Sequence, residues 1–360
     1  MNTSTLYVGS YTSAQDGRGS GVSVRGVGAD GALTGDLSTV PLSNPTFLAL
    51  GMGLLFAVEE EPDGRVVSLA RTQGKLTVVG SAPSGGGLPC HLVVDDARRR
   101  LVLVNYLPAG IATVVVAPDG TLGPTGSTAA PGGTGPVRER QESPHFHQAL
   151  RVRDGSEDWL VSDLGGDRVV RFAVRGESAP PALVEVCRLP AGSGPRHMGW
   201  VGDALLVSGE LDSRLHVLSQ ASGVLEHVGA VTTGAERSRA GRRVANFPSH
   251  LVVSPNQDFA FVANRGWNSI AVFDISRVPR GGMPRLVGEV SSRGEWPRHF
   301  TFHRGCLYVA NQRSNTIAVF AADGDSGVIG DLVQVAPAAS PVCLVFADGP
   351  FTDTGSGAAP

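Results

Sequence analysis

Hydrophobic and polar positions follow one phrase that recurs along the chain. An apolar run of strand length leads into a short polar or glycine-containing break, and a second apolar run follows. Seven segments share this phrase, from LYVGSYT (6–12) to CLYVANQRSNTIAVFAA (306–322). The second runs, such as SIAVFDI (269–275), alternate with a period of two, which is typical of half-buried β-strands. The pattern predicts a chain built of short strands.

The repeats are regular in length. The residues that end the first run lie 46 to 58 positions apart in one column: Ser10, Glu59, Asn105, Asp163, Gly209, Asn264 and Asn311. A second motif, X-Pro leading into an apolar run, also occurs seven times, beginning at Asn44, Leu88, Ser143, Gly194, Phe247, Trp296 and Ser340. Proline at the first position of a strand loses no ladder hydrogen bond. The similar stretches SGPRHMGW (193–200) and EWPRHFTFH (295–303) are therefore two members of a sevenfold series.

Repeats of about 50 residues with four short strands each predict an all-β fold, a seven-bladed β-propeller with four-stranded antiparallel blades. We label the strands of a blade A to D, and the X-Pro run is strand A, the innermost. The first repeat lacks a strand A, and no strand B follows the last strand A at 341–347. We therefore expect this C-terminal strand to pair with residues 5–10 and close the ring. The propeller would be a single domain over residues 1–349, and residues 350–360 would form a flexible tail.

Composition narrows the classes of function. Apolar residues make up 41% of the chain, charged residues 18%, and the formal net charge is −3, so we expect neither nucleic acid nor a membrane as a partner. Lys75, the only lysine, lies in a polar turn, which argues against Schiff-base chemistry and leaves arginine to recognise anions. The N-terminus lacks a signal-peptide pattern. Four cysteines without CxxC spacing predict reduced, mostly buried thiols in a cytoplasmic protein: Cys90, Cys187, Cys306 and Cys343.

Two columns of residues meet at one face of the predicted propeller, because strand B runs antiparallel to strand A. The residues after the proline are Thr46, Cys90, His145, Arg196, Ser249, Arg298 and Val342. The residues after the end of strand B are Tyr11, Glu60, Tyr106, Leu164, Glu210, Arg265 and Gln312. These columns diverge into His, Arg and Glu while the flanking apolar pattern stays constant, which is typical of a site on a symmetric scaffold. The alternative for Arg196, Glu210 and Arg265 is a structural ion-pair network.

Other features of the same face favour simpler readings. Four histidines stand two residues after a proline: His91, His197, His250 and His299. Four equivalent copies favour packing or hydrogen bonding between blades over a metal site. No HExxH motif, dense Asp cluster or Cys-His pair supports a metal site, so we expect no metal and no other cofactor. Two long polar loops, at 124–143 and 232–247, are expected to form walls over the channel mouth.

Twelve short phrases occur in a fixed order along the chain: YVGSYT, NPTFLA, FAVEEE, LPCHLVVD, VNYLPAG, RQESPHFH, SDLGGDRV, GSGPRH, SGELDS, VANRG, WPRHF and YVANQRS. In this order they resemble the seven-bladed propeller lactonase family, which includes cycloisomerase-type 6-phosphogluconolactonases and the fungal carboxymuconate lactonizing enzyme. In that family a His, two Arg and a Glu at the channel mouth form the proposed active site. The resemblance implies that these are His145 or His147 in SPHFH, Arg196 in GPRH, Glu210 in SGEL and Arg265 in NRG.

The resemblance implies a lactonase that opens a sugar lactone, with 6-phosphogluconolactone as the first expectation. Glu210 or the histidine would be the general base, and Arg196 and Arg265 would hold the oxyanion or the substrate's anionic group. The expected substrate-binding residues are Glu60, Tyr106, Arg298 and Gln312, with Arg298 contacting a phosphate or other distal anion. Two alternatives remain open. One is a lactonizing cycloisomerase of the carboxymuconate type, and the other is a non-catalytic propeller that binds a partner through its rim.

Overall fold

The computed structural model describes residues 4–72, 75–176, 179–220, 222–235, 238–239 and 242–347. These residues form seven four-stranded sheets and one two-stranded hairpin, and every strand pair is antiparallel. The predicted all-β propeller with seven four-stranded blades is confirmed. The predicted tail at 350–360 lies outside the described residues.

The strands follow the chain order blade by blade. Blade 1 contains β1 (Ser4–Ser10), β2 (Val22–Val27), β3 (Leu33–Val40) and the last strand, β30 (Pro341–Phe346). Blade 2 contains β4 (Phe47–Gly51), β5 (Leu54–Glu59), β6 (Arg65–Thr72) and β7 (Lys75–Pro83), and blade 3 contains β8 (Pro89–Asp95), β9 (Arg100–Tyr106), β10 (Ala109–Val116) and β11 (Leu122–Ala129). Blade 4 contains β12 (Phe146–Arg151), β13 (Asp158–Asp163), β14 (Arg168–Ala173) and β15 (Ala182–Arg188), and blade 5 contains β16 (Pro195–Val201), β17 (Ala204–Gly209), β18 (Arg214–Ser219) and β19 (Glu226–Thr232). Blade 6 contains β22 (Phe247–Val253), β23 (Phe259–Arg265), β24 (Ser269–Asp274) and β25 (Arg285–Ser291), and blade 7 contains β26 (Pro297–His303), β27 (Cys306–Asn311), β28 (Thr316–Asp323) and β29 (Val328–Pro337). Strands β20 (Ser238–Arg239) and β21 (Arg242–Arg243) form a short hairpin between blades 5 and 6, and the 3-10 helices are Ala14–Asp16, Asp96–Arg98 and Val278–Arg280.

The X-Pro strands line the centre of the ring, as predicted. Each contacts the X-Pro strand of the next blade, in the order β30, β4, β8, β12, β16, β22, β26 and back to β30. These strands are buried along most of their length, whereas the fourth strand of each blade faces water. The central channel is therefore bordered by the starts of the inner strands.

Closure of the ring joins the two ends of the chain. Strand β30 pairs antiparallel with β1, with Leu6 opposite Phe346 and Val8 opposite Leu344. The predicted pairing between the C-terminal strand and the first strand is confirmed. Leu6 is fully buried and Leu344 is 1% exposed, so closure both removes a sheet edge and completes the core of blade 1.

The core consists of apolar layers between neighbouring blades. Between blades 3 and 4, for example, Trp159, Phe146 and Phe172 pack against Val104 in one buried cluster. Each fully buried side chain of this size contributes about 1.5–3 kcal/mol or more to folding. All four cysteines are buried and unpaired, as predicted. No helix in the described part of the chain is long and apolar enough to span a bilayer.

The histidine column links neighbouring blades. His91 Nδ1 accepts a long hydrogen bond of 3.5 Å from the Ala149 amide, and His299 Nδ1 accepts one of 3.4 Å from the Leu344 amide. His197 and His250 meet through their Nδ1 atoms at 2.9 Å. The predicted role of these histidines in packing and hydrogen bonding between blades is confirmed. Because they are buried, their pKa values lie below 6.5, at about 3 for His91 and His299.

The predicted loop at 124–143 begins too early. Strand β11 already occupies Leu122–Ala129, so the loop that precedes the inner strand of blade 4 covers 130–145. The sequence LGPTGSTA lacks apolar alternation because an outer strand exposes one edge and much of its surface to water. The second predicted loop, at 232–247, contains the short β20–β21 hairpin.

Candidate active site

Irregular pairing at the start of the inner strands shapes the channel mouth. In blade 5, Pro195 pairs opposite Gly209, and regular pairing resumes only with Met198 opposite Val207. A bulge of this kind re-aims the side chains that it contains. Arg196 lies in this bulge and faces the pocket at the mouth.

Blade 4 forms its bulge two residues later than its X-Pro motif predicts. Its inner strand begins at Phe146, which pairs opposite Asp163, and Gln148 pairs opposite Ser162. His147 therefore occupies the bulge position in this blade. In blade 7 the same position belongs to Arg298.

The predicted column that placed His145 beside Arg196 and Arg298 is corrected by this pairing. The first paired residue of this strand, Phe146, lies two positions after Pro144, so the motif precedes the strand instead of starting it. His147 is the member of the column.

Glu210 is the centre of an ion-pair cluster at the mouth. Its Oε2 lies 2.5 Å from Arg265 Nη2 and 3.0 Å from Arg196 Nε, and its Oε1 lies 2.6 Å from Arg140 Nη2. The side chains of Glu210, Arg196 and Arg265 are 3%, 3% and 6% exposed. Burial alone would raise the pKa of Glu210, but the three guanidinium groups hold it well below its usual value. Glu210 is therefore a carboxylate whose lone pairs are already engaged.

Arg140 completes this cluster and was missed in the sequence. It lies on the 130–145 loop and not at a strand end, so neither column contains it. The available signal was its place in RERQES, directly before SPHFH, in a loop predicted to wall the mouth.

The two candidate histidines differ in the hydrogen-bond partners of their ring nitrogens. His145 Nε2 lies 2.9 Å from Glu142 Oε1 and its Nδ1 lies 3.4 Å from the Tyr106 carbonyl oxygen, so both ring nitrogens face acceptors. The His145 ring also stacks on Tyr106 at 4.4 Å between centroids. His147 is 7% exposed, and its Nδ1 has no hydrogen-bond partner within the described residues. Burial, followed by the charge of Arg196, holds the pKa of His147 well below 6.5, so its imidazole is neutral at pH 7.

A second polar chain supports Arg298. Its Nη2 donates to the Tyr11 hydroxyl at 2.9 Å, and the guanidinium lies 5.0 Å from the Tyr11 ring centroid. The Tyr11 hydroxyl donates to Glu60 Oε1 at 2.8 Å, and Thr46 Oγ1 donates to Glu60 Oε2 at 2.6 Å. Glu60 thus contributes through Tyr11, a residue that was in the predicted column but not among the predicted site residues.

A pocket opens between these clusters. Its volume is about 260 Å³, counting space open to solvent, and its lining residues are Thr46, Phe47, Cys90, His147, Arg196, His197, Arg298, His299 and Val342. Arg196 Nη1 is buried without a hydrogen-bond partner among the described residues. Its Nε approaches Glu210 but lacks the alignment of a hydrogen bond. Two lining residues, Arg196 and His147, therefore each carry a buried polar atom that no described residue engages.

The remaining predicted residues lie around the pocket. Glu60, Tyr106 and Gln312 are not in its lining. Gln312 is buried, and its Oε1 has no hydrogen-bond partner in the described part of the chain. Within the described ranges, no group of three or more His, Cys, Asp or Glu side chains is arranged to hold a metal ion.

A seven-bladed ring with an arginine-lined pocket at one mouth defines a propeller suited to a small anionic ligand. Residues 5–346 match the family model described as lactonase, 7-bladed beta-propeller. The chain belongs to this family and is an enzyme of the lactonase class.

Named relatives cover most of the chain. The 6-phosphogluconolactonase of Bacillus subtilis is 28% identical over 321 residues, which are 85% of this chain and 88% of the relative. The 6-phosphogluconolactonase of Formosa agariphila is 25% identical over 347 residues, 91% of this chain and 95% of the relative. The solved structure of the periplasmic gluconolactonase PpgL of Pseudomonas aeruginosa is 28% identical with a TM-score of 0.84, and the match covers 97% of this chain and all of that one.

Proposed function

We propose that the protein hydrolyses an anionic sugar lactone, with 6-phosphogluconolactone as the natural substrate. One observation carries the proposal. Arg196 and His147 both line one pocket, and Arg196 Nη1 and His147 Nδ1 are buried without a hydrogen-bond partner among the described residues. Lactone hydrolysis needs these two functions, a donor for the developing oxyanion and an acceptor for the proton of water. The names of the relatives support the choice of lactone.

The charge balance of the mouth favours an anionic substrate. Four guanidinium groups, those of Arg140, Arg196, Arg265 and Arg298, lie in a network with two carboxylates, Glu60 and Glu210. Among these six groups the positive charges exceed the negative ones by two, which matches the charge of a phosphate monoester near neutral pH. A dianion would therefore gain from this mouth more than a neutral sugar lactone.

The reaction follows from the pocket's free atoms. A water molecule attacks the lactone carbonyl carbon while His147 Nδ1 takes one of its protons. The carbonyl electron pair moves to oxygen, and the Arg196 guanidinium stabilises that oxyanion more than the neutral ground state. When the oxyanion collapses, the bond between the carbonyl carbon and the ring oxygen breaks, and His147 returns the proton to that oxygen. The product is the open-chain hydroxy acid.

In this scheme Glu210 is not the general base, although the sequence made it a candidate for that role. A carboxylate with a strongly lowered pKa and three guanidinium contacts is a poor proton acceptor at neutral pH. We assign it to positioning Arg196 and Arg265. His145, with both ring nitrogens facing acceptors, is assigned to supporting Tyr106 and the strand start.

Substrate charge would make His147 a better base. Its pKa is low because of burial and because of the Arg196, Arg298 and Arg265 charges. A bound anion offsets those charges and raises the pKa of His147 towards the working pH. The acidic limb of kcat/KM, which reports the free enzyme, should therefore lie below pH 6.5, and the acidic limb of kcat should lie at higher pH.

Steady-state hydrolysis of freshly generated 6-phosphogluconolactone tests the proposal, with the rate in buffer subtracted because the lactone also opens spontaneously. We expect a rate well above the rate in buffer. The acidic limb of kcat/KM should lie below pH 6.5, and the acidic limb of kcat should lie at higher pH. Wild-type protein no faster than buffer would reject this substrate. Consumption of a carboxymuconate in its place would favour the lactonizing alternative.

We also propose a cytoplasmic location, which the four unpaired buried thiols support. Fractionation of the native host tests it, and recovery with a periplasmic marker, as the name of PpgL would suggest for that relative, would contradict it.

A further inference from the structure

We propose that Arg140 is a substrate-binding residue that selects lactones with a distal anionic group, and this inference rests on the proposed lactonase function. Arg140 reaches the Glu210 cluster from the 130–145 loop, whereas Arg196 and Arg265 come from the strands of the propeller. Because it reaches Glu210 from a loop and its side chain is 37% exposed, we place it on the solvent side of the cluster.

Arg140 bridges two blades across the mouth. Its Nη2 lies 2.6 Å from Glu210 Oε1 in blade 5. The same side chain is within hydrogen-bonding reach of Tyr106 in blade 3. Between these blades lies blade 4 with His147, so the guanidinium spans the approach to that histidine.

The contact with Glu210 can be exchanged for a contact with substrate. The Arg140 side chain is 37% exposed, in contrast to 3% for Arg196 and 6% for Arg265. Glu210 keeps two guanidinium partners when Arg140 turns away, so the buried carboxylate stays compensated. Arg140 is therefore the arginine of this cluster that an arriving anion redirects most readily, because its side chain is by far the most exposed of the three.

The backbone beside Arg140 is held in place, which gives the guanidinium a defined reach. Gln141 is fully buried, and its Nε2 donates to the Leu164 carbonyl oxygen at 2.8 Å and to Asp167 Oδ1 at 2.7 Å. Its Oε1 accepts from the Val137 amide at 3.1 Å. A planar guanidinium on a fixed stem suits bidentate contact with a phosphate or a carboxylate.

The test distinguishes binding of the distal anionic group from binding of the lactone ring. Rates are measured on 6-phosphogluconolactone and on glucono-δ-lactone, which has the same ring without phosphate, for wild type, Arg140→Ala, Arg140→Lys and the control Arg138→Ala. Arg138 lies on the same loop and is exposed. We expect Arg140→Ala to raise KM for the phosphorylated lactone about 10- to 100-fold, the usual value of a charge-assisted contact, with little change in kcat and no change on the unphosphorylated lactone. Arg140→Lys should restore part of the loss, and Arg138→Ala should match wild type.

A binding measurement distinguishes failure of this inference from failure of the proposed function. Calorimetry with the products, 6-phosphogluconate and gluconate, needs no turnover. Wild type that binds 6-phosphogluconate more tightly, with the preference lost in Arg140→Ala, supports the role of Arg140 even if no lactone is hydrolysed. Equal losses on both lactones, or an unchanged preference for 6-phosphogluconate in Arg140→Ala, would overturn it. A thermal midpoint for Arg140→Ala close to that of wild type confirms that the variant is folded.

Discussion

At the scale of single residues, the site depends on which polar atoms remain free. His145 and His147 are two positions apart and both are buried, yet only His147 has a ring nitrogen without a partner within the described chain. Glu210 looks like a catalytic acid or base in the sequence, but three guanidinium groups engage it. Free lone pairs and free N–H groups, more than residue type, decide which role is open to each side chain.

Replacing each histidine separately tests this assignment. We expect His147→Gln to lower kcat on 6-phosphogluconolactone by about 10²–10⁴-fold, the usual effect of losing a general base. His145→Gln, the matched control, should lower kcat less than about tenfold, because Gln still offers a donor to Glu142. Steady-state kinetics provides the measurement. A larger loss for His145→Gln would assign the base to His145 instead.

Glu210→Gln should act first on stability. Removing the charge leaves Arg196 and Arg265 buried without compensation, and we expect the free energy of unfolding to fall by about 3–5 kcal/mol. In the control, Glu157→Gln, the carboxylate beside Arg98 is 40% exposed, and the loss should be about 0–1 kcal/mol. Denaturant unfolding measures both variants. If Glu210→Gln is as stable as wild type and loses turnover together with the acidic limb of the pH profile, Glu210 is the base.

At the scale of elements, the inner strands serve two purposes at once. Their apolar residues complete the layers between blades, and the bulges at their starts turn Arg196, Arg298 and His147 towards the pocket. Strand β30 adds a third purpose, because it joins the chain ends and supplies Val342 to the same pocket.

A matched pair of leucines tests the importance of the closing strand. Leu344 on β30 is 1% exposed, and Leu332 on the outer strand β29 is 40% exposed. We expect Leu344→Ala to lower the free energy of unfolding by about 2–5 kcal/mol, because it opens a cavity in the core of blade 1. Leu332→Ala should change it by less than about 0.5 kcal/mol. Equal effects in thermal or denaturant unfolding would show that ring closure contributes little to stability.

At the scale of the whole molecule, the buried histidines predict that the ring is sensitive to acid. His91, His197, His250 and His299 occupy equivalent positions in four blades and are buried in the channel. In blade 4 the equivalent position is Gln148, whose Oε1 accepts a hydrogen bond from the Met198 amide of the next blade. A neutral amide therefore fills the position as well as a neutral imidazole does.

Acid should unfold the propeller through this column. The pKa of His91 and of His299 is about 3 in the folded chain and 6.5 when unfolded, so the unfolded state binds more protons between these values. Their contribution to stability is complete above pH 6.5 and is lost as the pH falls towards 3, at up to about 1.4 kcal/mol per pH unit for each histidine. Unfolding free energies at several pH values measure the slope. His91→Gln and His299→Gln should each reduce it by about one proton, and equal wild-type stability at pH 5 and pH 7.5 would refute the account.

The number and strand composition of the blades could be predicted because they follow from short-range sequence patterns. Period-two alternation marks single strands, the X-Pro motif marks each inner strand, and the unmatched strands at the two ends imply closure. The family's residues Arg196, Glu210 and Arg265 also followed from their places at strand ends. These features depend on neighbours in the chain, so the sequence alone determined the fold, and it placed most charged residues of the candidate site on one face.

Only the tertiary structure decided the chemistry of that mouth. The two-residue displacement in blade 4 appears only when β12 pairs with β13, and this pairing places His147 beside Arg196 and Arg298. Arg140 reaches Glu210 across 70 positions of chain, a contact that no periodic pattern encodes. Whether a polar atom is free depends on every group that surrounds it in space. This is why the sequence could name the candidate residues, while only the packed structure shows which of their polar atoms are engaged.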